Sequence, residues 1–528
     1  MKKTISILSF SLILFLIGCN TTVKTNLRAY ITNMSAKSTE VTFKVEVRDP
    51  DGELDSNEFK VVLSHEDDIK EEETTLSKGQ LKTFTFQDLK RDTKYEIEVF
   101  GTKDEKLVSL TISSNKTFET LKQGDVKEDP LILTTTEEFL AMNAKKHYKL
   151  GADLDFLDES FTPLFTSGTP FTGSFDGDDH TIKNIQMTSS KDVNKPYLSI
   201  FGYASNSTIK NTNFDNIHIN NDENSYTGIH YVGLIVSKVS NNNFELTNIT
   251  IKNSSLTIKH NINNITTNRN LYVGLLGGSV QGKIANIDII DSELKVTQLG
   301  LNGRYAGTDI ATTGTYVGGA VGLVESDKGF GISKISVIDT EVEVIINQDK
   351  PGKGSGDLYV GGVFGANRSD RKFSEVISNT KITITHTNDE ETEEEKLDNI
   401  FIGGISATIK PNSENLYYYG EIKVDLTTKI KNVYASLITP ITNKSSTYVL
   451  ASGNITINTL DEDNKTSTTL GVYYYRNNEK WTSYDENVKV YNNPTITVDE
   501  SPFDLSSYEV VTDISDYIQS EYLLSFID

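Results

Sequence analysis

The chain contains almost no cysteine or tryptophan, and it has a deficit of positive charge. Among its 528 residues there is one cysteine, Cys19, and one tryptophan, Trp481. A single cysteine excludes a disulfide within the chain. Lysine and arginine together number 51 against 74 aspartates and glutamates, so the net charge is −23. Nucleic acid requires clustered cations, and the composition therefore excludes it as a partner.

Long apolar runs are also scarce, and the one at the N-terminus is short. Lys2 and Lys3 precede an apolar run from Ile5 to Ile17, which is too short to span a bilayer and predicts a secretory signal. The segment ends in Leu16-Ile17-Gly18-Cys19, which resembles a bacterial lipobox. The resemblance implies a lipoprotein signal peptide at 1–18, diacylation of Cys19 and a lipidated tether at 19–26. Such a protein is anchored to a membrane on its extracytoplasmic face, at the cell surface.

The alternative is an ordinary secretory signal with an incidental cysteine. No later apolar stretch is long enough to span a bilayer. If Cys19 carries a lipid, thiol catalysis is excluded, because the chain has no other cysteine.

Residues 27–120 alternate apolar and polar side chains in several short runs, for example Val41/Phe43/Val45, which predicts an antiparallel β-sandwich. The stretch from Leu89 to Val99, with Tyr95 near its centre, resembles the loop and following strand of fibronectin type III domains. Arg91 and Asp92 stand where that family has proline and glycine, and no buried tryptophan precedes them. The resemblance implies a spacer or binding module. Residues 121–130 then predict a charged linker.

One four-residue sequence motif, which we call the phrase, recurs through the middle of the chain. Its copies begin 41, 44, 43 and 42 residues apart, at Tyr231-Val-Gly-Leu, Tyr272-Val-Gly-Leu, Tyr316-Val-Gly-Gly, Tyr359-Val-Gly-Gly and Phe401-Ile-Gly-Gly. A second element repeats as Asn253-Ser-Ser-Leu, Asp291-Ser-Glu-Leu, Asp339-Thr-Glu-Val and Asn379-Thr-Lys-Ile. Each unit is therefore predicted as strand, glycine turn, strand, Asx turn and strand, with a polar loop leaving the third corner.

Units of this kind stack, because one unit alone cannot bury its apolar face. A β-propeller has a similar period, but it uses four strands per blade and carries a Trp-Asp signature that this chain lacks. The sequence therefore predicts an all-β chain in which the sandwich is followed by a parallel β-helix at 131–500. A short helix near Glu137 is expected to cover the first coil, and residues 501–528 are expected to form a C-terminal cap.

The phrases Tyr148–Phe156 and Phe171–Ile185, followed by the Val-Gly-Gly coils, resemble bacterial surface proteins with GLUG-type repeats. The resemblance covers roughly residues 131–405. It implies a right-handed β-helix at the cell surface, and it implies no activity.

Two sets of residues are candidates for a functional site. Tyr231, Tyr272, Tyr316 and Tyr359 are predicted to stack in register, where an outward ladder suits sugar rings or a protein partner and an inward one is core packing. Asp176, Asp178 and Asp179, beside His180, are the densest acidic set near a coil and could hold calcium. Their alternative is a solvated turn. No other cofactor is indicated.

The function predicted from these features is binding. The chain is expected to be an adhesin-like surface lipoprotein that presents its loops to a glycan or to a host or surface protein. The alternative is a carbohydrate-active enzyme, a polysaccharide lyase or a glycoside hydrolase, with paired carboxylates in a cleft. A structural role in an envelope layer is a third possibility.

Overall fold

The computed structural model describes residues 27–66, 68–75, 79–112, 115–188, 197–226, 230–241, 243–261, 270–299, 314–325, 331–348, 357–388, 399–426, 430, 432–442, 446–459, 467–477, 480–482, 487–515, 517–518 and 520–526. The chain divides into two compact units, Met1–Asp129 and Pro130–Asp528. The predicted signal peptide, Cys19 and the tether lie outside the described residues, as do most of the polar loops predicted at the third corner. No helix in the described part of the chain is long and apolar enough to cross a membrane.

The first unit consists of two sheets that share one core. Its strands are β1 (Arg28–Ala36), β2 (Val41–Arg48), β3 (Glu58–His65), β4 (Asp68–Thr75), β5 (Leu81–Phe86), β6 (Lys94–Lys103), β7 (Lys106–Ser109), β8 (Thr111–Ile112) and β9 (Thr117–Glu119). One sheet has the order β5-β2-β1-β8, and the other has the order β4-β3-β6-β7 with β9 also paired to β6. Alternate residues of both sheets, such as Phe43 and Val61, are fully buried in the common core.

Tyr95 fixes the corner that leads into β6. Its hydroxyl accepts a hydrogen bond of 2.9 Å from the backbone N–H of Lys90 and donates one to the carboxylate of Asp68. Burial and the bond to Asp68 raise the pKa of Tyr95 to about 12. A buried tyrosine that bonds a few residues back along the chain is a known way of holding a sandwich corner.

The second unit is a stack of short strands, and its described residues include two small helices, one near the first coil and one close to the C-terminus of the chain. Its elements up to the third full coil are β10 (Leu131–Leu133), α1 (Thr136–Leu140), β11 (His147–Leu150), β12 (Leu154–Asp155), β13 (Ser174–Asp176), β14 (Thr181–Thr188), β15 (Tyr197–Leu198), β16 (Tyr203–Ala204), β17 (Thr208–Tyr226), β18 (His230–Val232), β19 (Val236–Val239), β20 (Glu245–Lys252), β21 (Ser255–Asn261), β22 (Leu271–Gly274), β23 (Gly277–Val280), β24 (Lys283–Ile290), β25 (Glu293–Leu299), β26 (Gly314–Gly318), β27 (Val321–Val324), β28 (Ile332–Ile338) and β29 (Glu341–Gln348).

The remaining elements are β30 (Asp357–Gly361), β31 (Phe364–Asn367), β32 (Phe373–Ser378), β33 (Lys381–Asn388), β34 (Asn399–Gly403), β35 (Ser413–Tyr418), β36 (Glu421–Leu426), β37 (Asn432–Thr442), β38 (Ser446–Ala451), β39 (Asn454–Thr459), β40 (Ser467–Asn477), β41 (Lys480–Thr482), β42 (Val488–Tyr491), β43 (Ile496–Val498), β44 (Ser501–Pro502), β45 (Glu509–Val511) and α2 (Glu521–Leu524).

Equivalent strands of successive repeats pair with one another in parallel. The phrase strands form the column β15-β18-β22-β26-β30-β34-β37-β40, and the strands after the Asx turn form β21-β25-β29-β33-β36-β39. A propeller would instead pair strands antiparallel within one repeat. The second unit is therefore a parallel β-helix, and aliphatic residues such as Val317, Ile335 and Val344 fill its interior.

One strand of each full coil was not predicted. The coil that begins at β22 continues through β23, β24 and β25, whereas the sequence pattern gave no separate strand at Gly277–Val280. Leu275 and Leu276 are both fully buried, so apolar alternation stops there and the chain bends. The bend places β16, β19, β23, β27 and β31 in a column of their own.

Three of the four predicted Asx corners are left-handed turns, and the fourth, at Asn379, has no positive φ. Asn253, Asp291 and Asp339 have φ values of 50°, 49° and 48°, which Asn and Asp adopt more readily than most residues. Ser254 and Ser292, which follow the first two, point inward. Their hydroxyls donate to the backbone carbonyls of Lys252 and Ile290 at 2.6 and 2.9 Å. The repeated Asx-Ser/Thr pair is therefore explained by a left-handed corner with a satisfied hydroxyl inside it.

The predicted N-terminal helix is α1, and it covers the first coil. Thr135 and Glu138 form a capping box, and Phe139 is fully buried. Its ring contacts Phe156, Phe175 and Phe201 at centroid distances of 5.8, 5.7 and 6.2 Å.

The C-terminal segment differs from the cap that was expected. Strand β45 still pairs in parallel with β42, so the stack continues past residue 500. The segment then packs Ile514, Ile518 and Leu523 against the outward-facing Ile377, Tyr417 and Leu450 on the side of the coils. Tyr522 donates to Asp288 at 3.1 Å. Residues at helical spacing therefore cover a lateral face, and helix is limited to α2 in the described part of the segment.

The buried His386 predicts a pH dependence of stability. Its side chain is 1% exposed, and burial lowers its pKa to about 4 from 6.5. The unfolded chain therefore binds a proton more readily, so stability is complete above pH 6.5 and is lost as pH falls toward 4. The shift corresponds to about 3 kcal/mol. We expect denaturant unfolding at pH 7, 5.5 and 4 to show this loss for the natural chain and a smaller loss for His386→Leu. If the free energy of unfolding fell equally with pH in both proteins, the prediction would be contradicted.

Candidate functional site

An aromatic ladder runs along one outer face of the β-helix. Successive ring centroids lie 5.9, 5.0, 5.1, 4.7, 5.1 and 4.9 Å apart, and the rings are within 19° of parallel. Its members are Tyr197, Tyr231, Tyr272, Tyr316, Tyr359, Phe401 and Tyr434. The four predicted tyrosines are thus brought together in register, one from each coil.

Strand alternation places the ladder outside the coil. Val317 follows Tyr316 and is fully buried, so the tyrosine points away from the interior. Tyr316 nevertheless packs against Leu323 of β27 and Ala366 of β31, which also face outward. Side chains that point outward from two successive strands can contact each other only where the chain bends so that its outer surface is concave. The ladder therefore lines an inner corner of the surface, which we call the ladder corner.

Stacking determines what the ladder can offer a ligand. Between Tyr231 and Tyr434 each ring face is covered by the next ring, at about van der Waals separation. A sugar ring cannot stack on a covered face. Tyr231, Tyr272 and Tyr359 remain partly exposed, whereas Tyr316 and Phe401 are each only 7% exposed. The partly exposed ring edges and hydroxyls suit the corner to hydrogen bonding with hydroxyl-rich polymers.

Each of the four predicted tyrosines has a polar partner at its hydroxyl. Lys238 Nζ donates to Tyr231 at 2.9 Å, Asn270 Nδ2 donates to Tyr272 at 2.9 Å, and a guanidinium nitrogen of Arg368 donates to Tyr316 at 2.9 Å. Tyr359 donates to Asp357 Oδ2 at 3.2 Å. Burial raises the pKa of Tyr316, and the cation of Arg368 opposes that shift without cancelling it. The phenol of Tyr316 is therefore neutral near pH 7.

A row of amides and one carboxylate follows the ladder on its outer side. Asn432 Nδ2 donates to Asn399 Oδ1 at 2.8 Å, and Asn399 Nδ2 donates to Asp357 Oδ1 at 2.7 Å. Asn270 Oδ1 accepts the backbone N–H of Gly314 at 2.8 Å. The ladder corner is thus lined by hydroxyls, amides, two cations and the carboxylate of Asp357.

The second candidate set lies elsewhere, near the first coil. Asp176 is bonded to Lys210 Nζ at 2.8 Å and to Asn211 Nδ2 at 2.9 Å, and Asp178 pairs with Lys149 at 2.9 Å. Asp178 and Asp179 have φ values of 48° and 64°, which makes this segment a left-handed turn. The described residues contain no group of three or more metal-ligating side chains. Asp176 and Asp178 are thus each paired with a different lysine.

The electrostatics of this turn favour ionised carboxylates. Burial alone would raise the pKa of Asp176, but hydrogen bonds from Lys210, the Asp178 N–H and Asn211 outweigh it, and the pKa is lowered. Bonds from the Thr181 N–H and His180 lower the pKa of Asp153. A glycosidase general acid needs a raised pKa. Asp153 and Asp176 have the opposite property.

Several residues of the ladder corner were not predicted. Tyr197 and Tyr434 extend the ladder beyond the repeated phrase, although Tyr434 lies in the Val433-Tyr-Ala run that predicts a strand. Lys238 lies in β19, and Arg368 directly follows β31. Both strands belong to the column that the sequence pattern did not predict. The sequence signal that could have identified these two cations is a basic residue a few positions after the tyrosine of the repeated motif.

No known protein family matches the chain, and no curated protein matches it. Among solved structures, the sensor domain of the anti-sigma factor RsgI4 from Pseudobacteroides cellulosolvens is 16% identical, with a TM-score of 0.15; the match covers 18% of this chain and 95% of that domain. Pectate lyase Pel3 from Pectobacterium carotovorum is 9% identical, with a TM-score of 0.15, and the match covers 92% of this chain and 100% of the enzyme. Similarity at this level carries no argument, and the β-helix assignment rests on the strand pairing.

Proposed function

We propose that this protein is an extracytoplasmic binding module that holds an extended glycan along the ladder corner. The observation that carries the proposal is the repeat of one phenol or ring edge per coil, at 4.7–5.1 Å from Tyr231 to Phe401. A regular row of donors and acceptors fits a polymer whose own hydroxyl-bearing units repeat at a similar interval. An extended peptide repeats every 3.3 Å or so and would fall out of step.

The other parts of the chain take supporting roles in this proposal. A lipid on Cys19 would hold the protein at the cell surface, and the first unit would act as a fibronectin-III-like spacer. Tyr95 supports that assignment through its bond to the Lys90 N–H. The proposal also extends the GLUG-type resemblance to residues 131–500.

The ligand is tested by removing hydroxyls while keeping rings. We expect the full chain to bind at least one immobilised polysaccharide, and we expect Tyr→Phe changes at 231, 272, 316 and 359 together to weaken binding by more than tenfold, at about 0.5–1.5 kcal/mol per hydrogen bond. Phe401 already occupies the ladder, so stacking should survive. Tyr448→Phe, on a different column of strands, is the matched control.

The same titration separates binding from cleavage. Every polysaccharide that is retained is examined by mass for chain shortening, with calcium and with a chelator. Unchanged chains support the binding module. Shortened chains would favour the carbohydrate-active enzyme, and then the turn from Asp176 to His180 would be examined first. A panel with no bound polysaccharide would contradict the proposal.

The anchor is tested separately. Cys19→Ala removes the only cysteine, so no diacyl group can be attached. We expect the variant to be released into the medium while the natural chain sediments with membranes, and Ser6→Ala in the signal provides a control that keeps Cys19. Continued membrane association of Cys19→Ala would contradict the lipoprotein assignment.

A further inference from the structure

Two cations lie on the ladder corner and are bonded to phenols. Lys238 Nζ is 4.3 Å from the ring centroid of Tyr231, and the guanidinium carbon of Arg368 is 5.2 and 5.9 Å from those of Tyr316 and Tyr359. Lys238 is half-buried and Arg368 is exposed, so both are accessible to a ligand.

These cations are placed differently from many others in the β-helix. Lys210, Lys295 and Lys381 form ion pairs with Asp176, Glu343 and Glu341 at 2.8, 2.6 and 3.2 Å. Within the described part of the chain, Lys238 and Arg368 form no ion pair. What distinguishes these two cations is that each is bonded to a phenol of the ladder instead of to a carboxylate.

A phenol partner leaves the positive charge in place. Neutral tyrosine accepts one hydrogen bond, while an ammonium has three N–H donors and a guanidinium has five. The nearest acidic groups do not take these donors. Asp357 already accepts bonds from Tyr359 and Asn399, and Glu325, which follows β27 in the coil before Arg368, forms no ion pair with it in the described structure.

The spacing of the cations follows from the ladder. Two ring steps, of 5.0 and 5.1 Å, separate Tyr231, which is bonded to Lys238, from Tyr316, which is bonded to Arg368. A polymer that advances one sugar per coil would therefore bring every second sugar to a cation.

We propose that the glycan held along the ladder corner is acidic, with a carboxylate or sulfate on alternate sugars, and that Lys238 and Arg368 bind two such groups in one chain. This inference rests on the proposed function. Phenols and amides hydrogen-bond the sugars, and the cations set the register and select for charge, since charge-assisted hydrogen bonds are the stronger ones.

Hyaluronan is a suitable probe, because it carries one carboxylate on every second sugar. The full chain is titrated with hyaluronan, with carboxyl-reduced hyaluronan, with chondroitin sulfate and with cellulose oligosaccharides. We expect at least one of the two acidic polymers to bind, carboxyl reduction to abolish hyaluronan binding, and affinity to fall as salt rises from 50 to 500 mM. Chondroitin sulfate has the same alternating carboxylate plus a sulfate, so its carboxyl-reduced form is titrated as well: retained binding assigns recognition to sulfate, and lost binding assigns it to carboxylate.

The variants locate the effect. Lys238→Gln and Arg368→Gln are each expected to reduce affinity for the acidic polymer about tenfold, and the double variant should lose the salt dependence. Lys381→Gln removes a paired lysine from another column and should bind as the natural chain does. All variants should keep the natural thermal midpoint within 2 °C or so, since surface changes seldom alter stability.

The outcomes separate this inference from the proposal it rests on. Equal binding of carboxyl-reduced and natural hyaluronan, or cellulose binding that the double variant retains, would overturn the acidic ligand while keeping the binding module. Absence of binding to every polysaccharide would overturn both.

Discussion

Replacing Gly318 with alanine is expected to destabilise the β-helix by about 3 kcal/mol or more, at the upper end of what overpacking costs. A β-carbon at this position would lie 2.1 Å from the carbonyl oxygen of Val321 and 2.5 Å from the backbone nitrogen of Gly365. Both are backbone atoms, one in the next strand of the same coil and one in the following coil. They cannot move aside without distorting two coils.

The same close approach explains why the phrase repeats. Gly274, Gly318, Gly361 and Gly403 pair in one register, and a β-carbon at Gly361 would lie 1.9 Å from the Phe364 carbonyl oxygen. The glycine of each repeated motif lies at the bend of the ladder corner. The outer surface is concave there and has no room for a side chain. Repeat proteins transmit such a local defect to neighbouring units.

Denaturant unfolding measures this effect. Gly168→Ala is the control, because its β-carbon would approach nothing closer than Thr166 Oγ1 at 3.9 Å, and it should change stability by less than about 0.5 kcal/mol. If Gly318→Ala unfolded at the same midpoint as the control, the sharp inner corner would be wrong.

Phe139→Ala is expected to cost about 3–5 kcal/mol, because it removes a fully buried ring from the cluster that closes the first coil. Phe139 contacts four phenylalanine rings, among them Phe161 at 6.4 Å, and none of these can fill the resulting cavity without leaving its own coil.

Leu140 provides the matched control for this change. It is the next residue of α1 and is 49% exposed, so Leu140→Ala should lower stability by less than about 1 kcal/mol. Thermal unfolding of the two variants compares them directly. Similar losses would indicate that α1 does not cap the stack.

The regular features of the β-helix could be predicted because they repeat. Period and alternation together predicted the register of the four tyrosines and the apolar interior, and the repeated Asn/Asp-Ser/Thr pairs predicted the Asx corners. The capping box at Thr135 and Glu138 predicted α1 because both of its hydrogen bonds are local.

What could not be predicted depends on contacts between distant residues. The column containing β23 is too short and too rich in glycine to carry an alternating pattern. The spacing of Ile514, Tyr517 and Ile518 suits a helix, but tertiary contacts with Ile377 and Leu450 determine the path of the C-terminal segment instead. Lys238 and Arg368 belong to no motif, and they reach the ladder only because the chain bends before them.

The central claim is that the ladder corner holds the ligand, and hydroxyl-radical footprinting of the full chain tests it most directly. With a retained polysaccharide bound, we expect protection to be concentrated at the ring edges of Tyr231, Tyr272 and Tyr359, while the exposed Tyr448 keeps its natural reactivity. Protection confined to the turn from Asp176 to His180, or to the first unit, would contradict the claim and locate binding elsewhere on the chain.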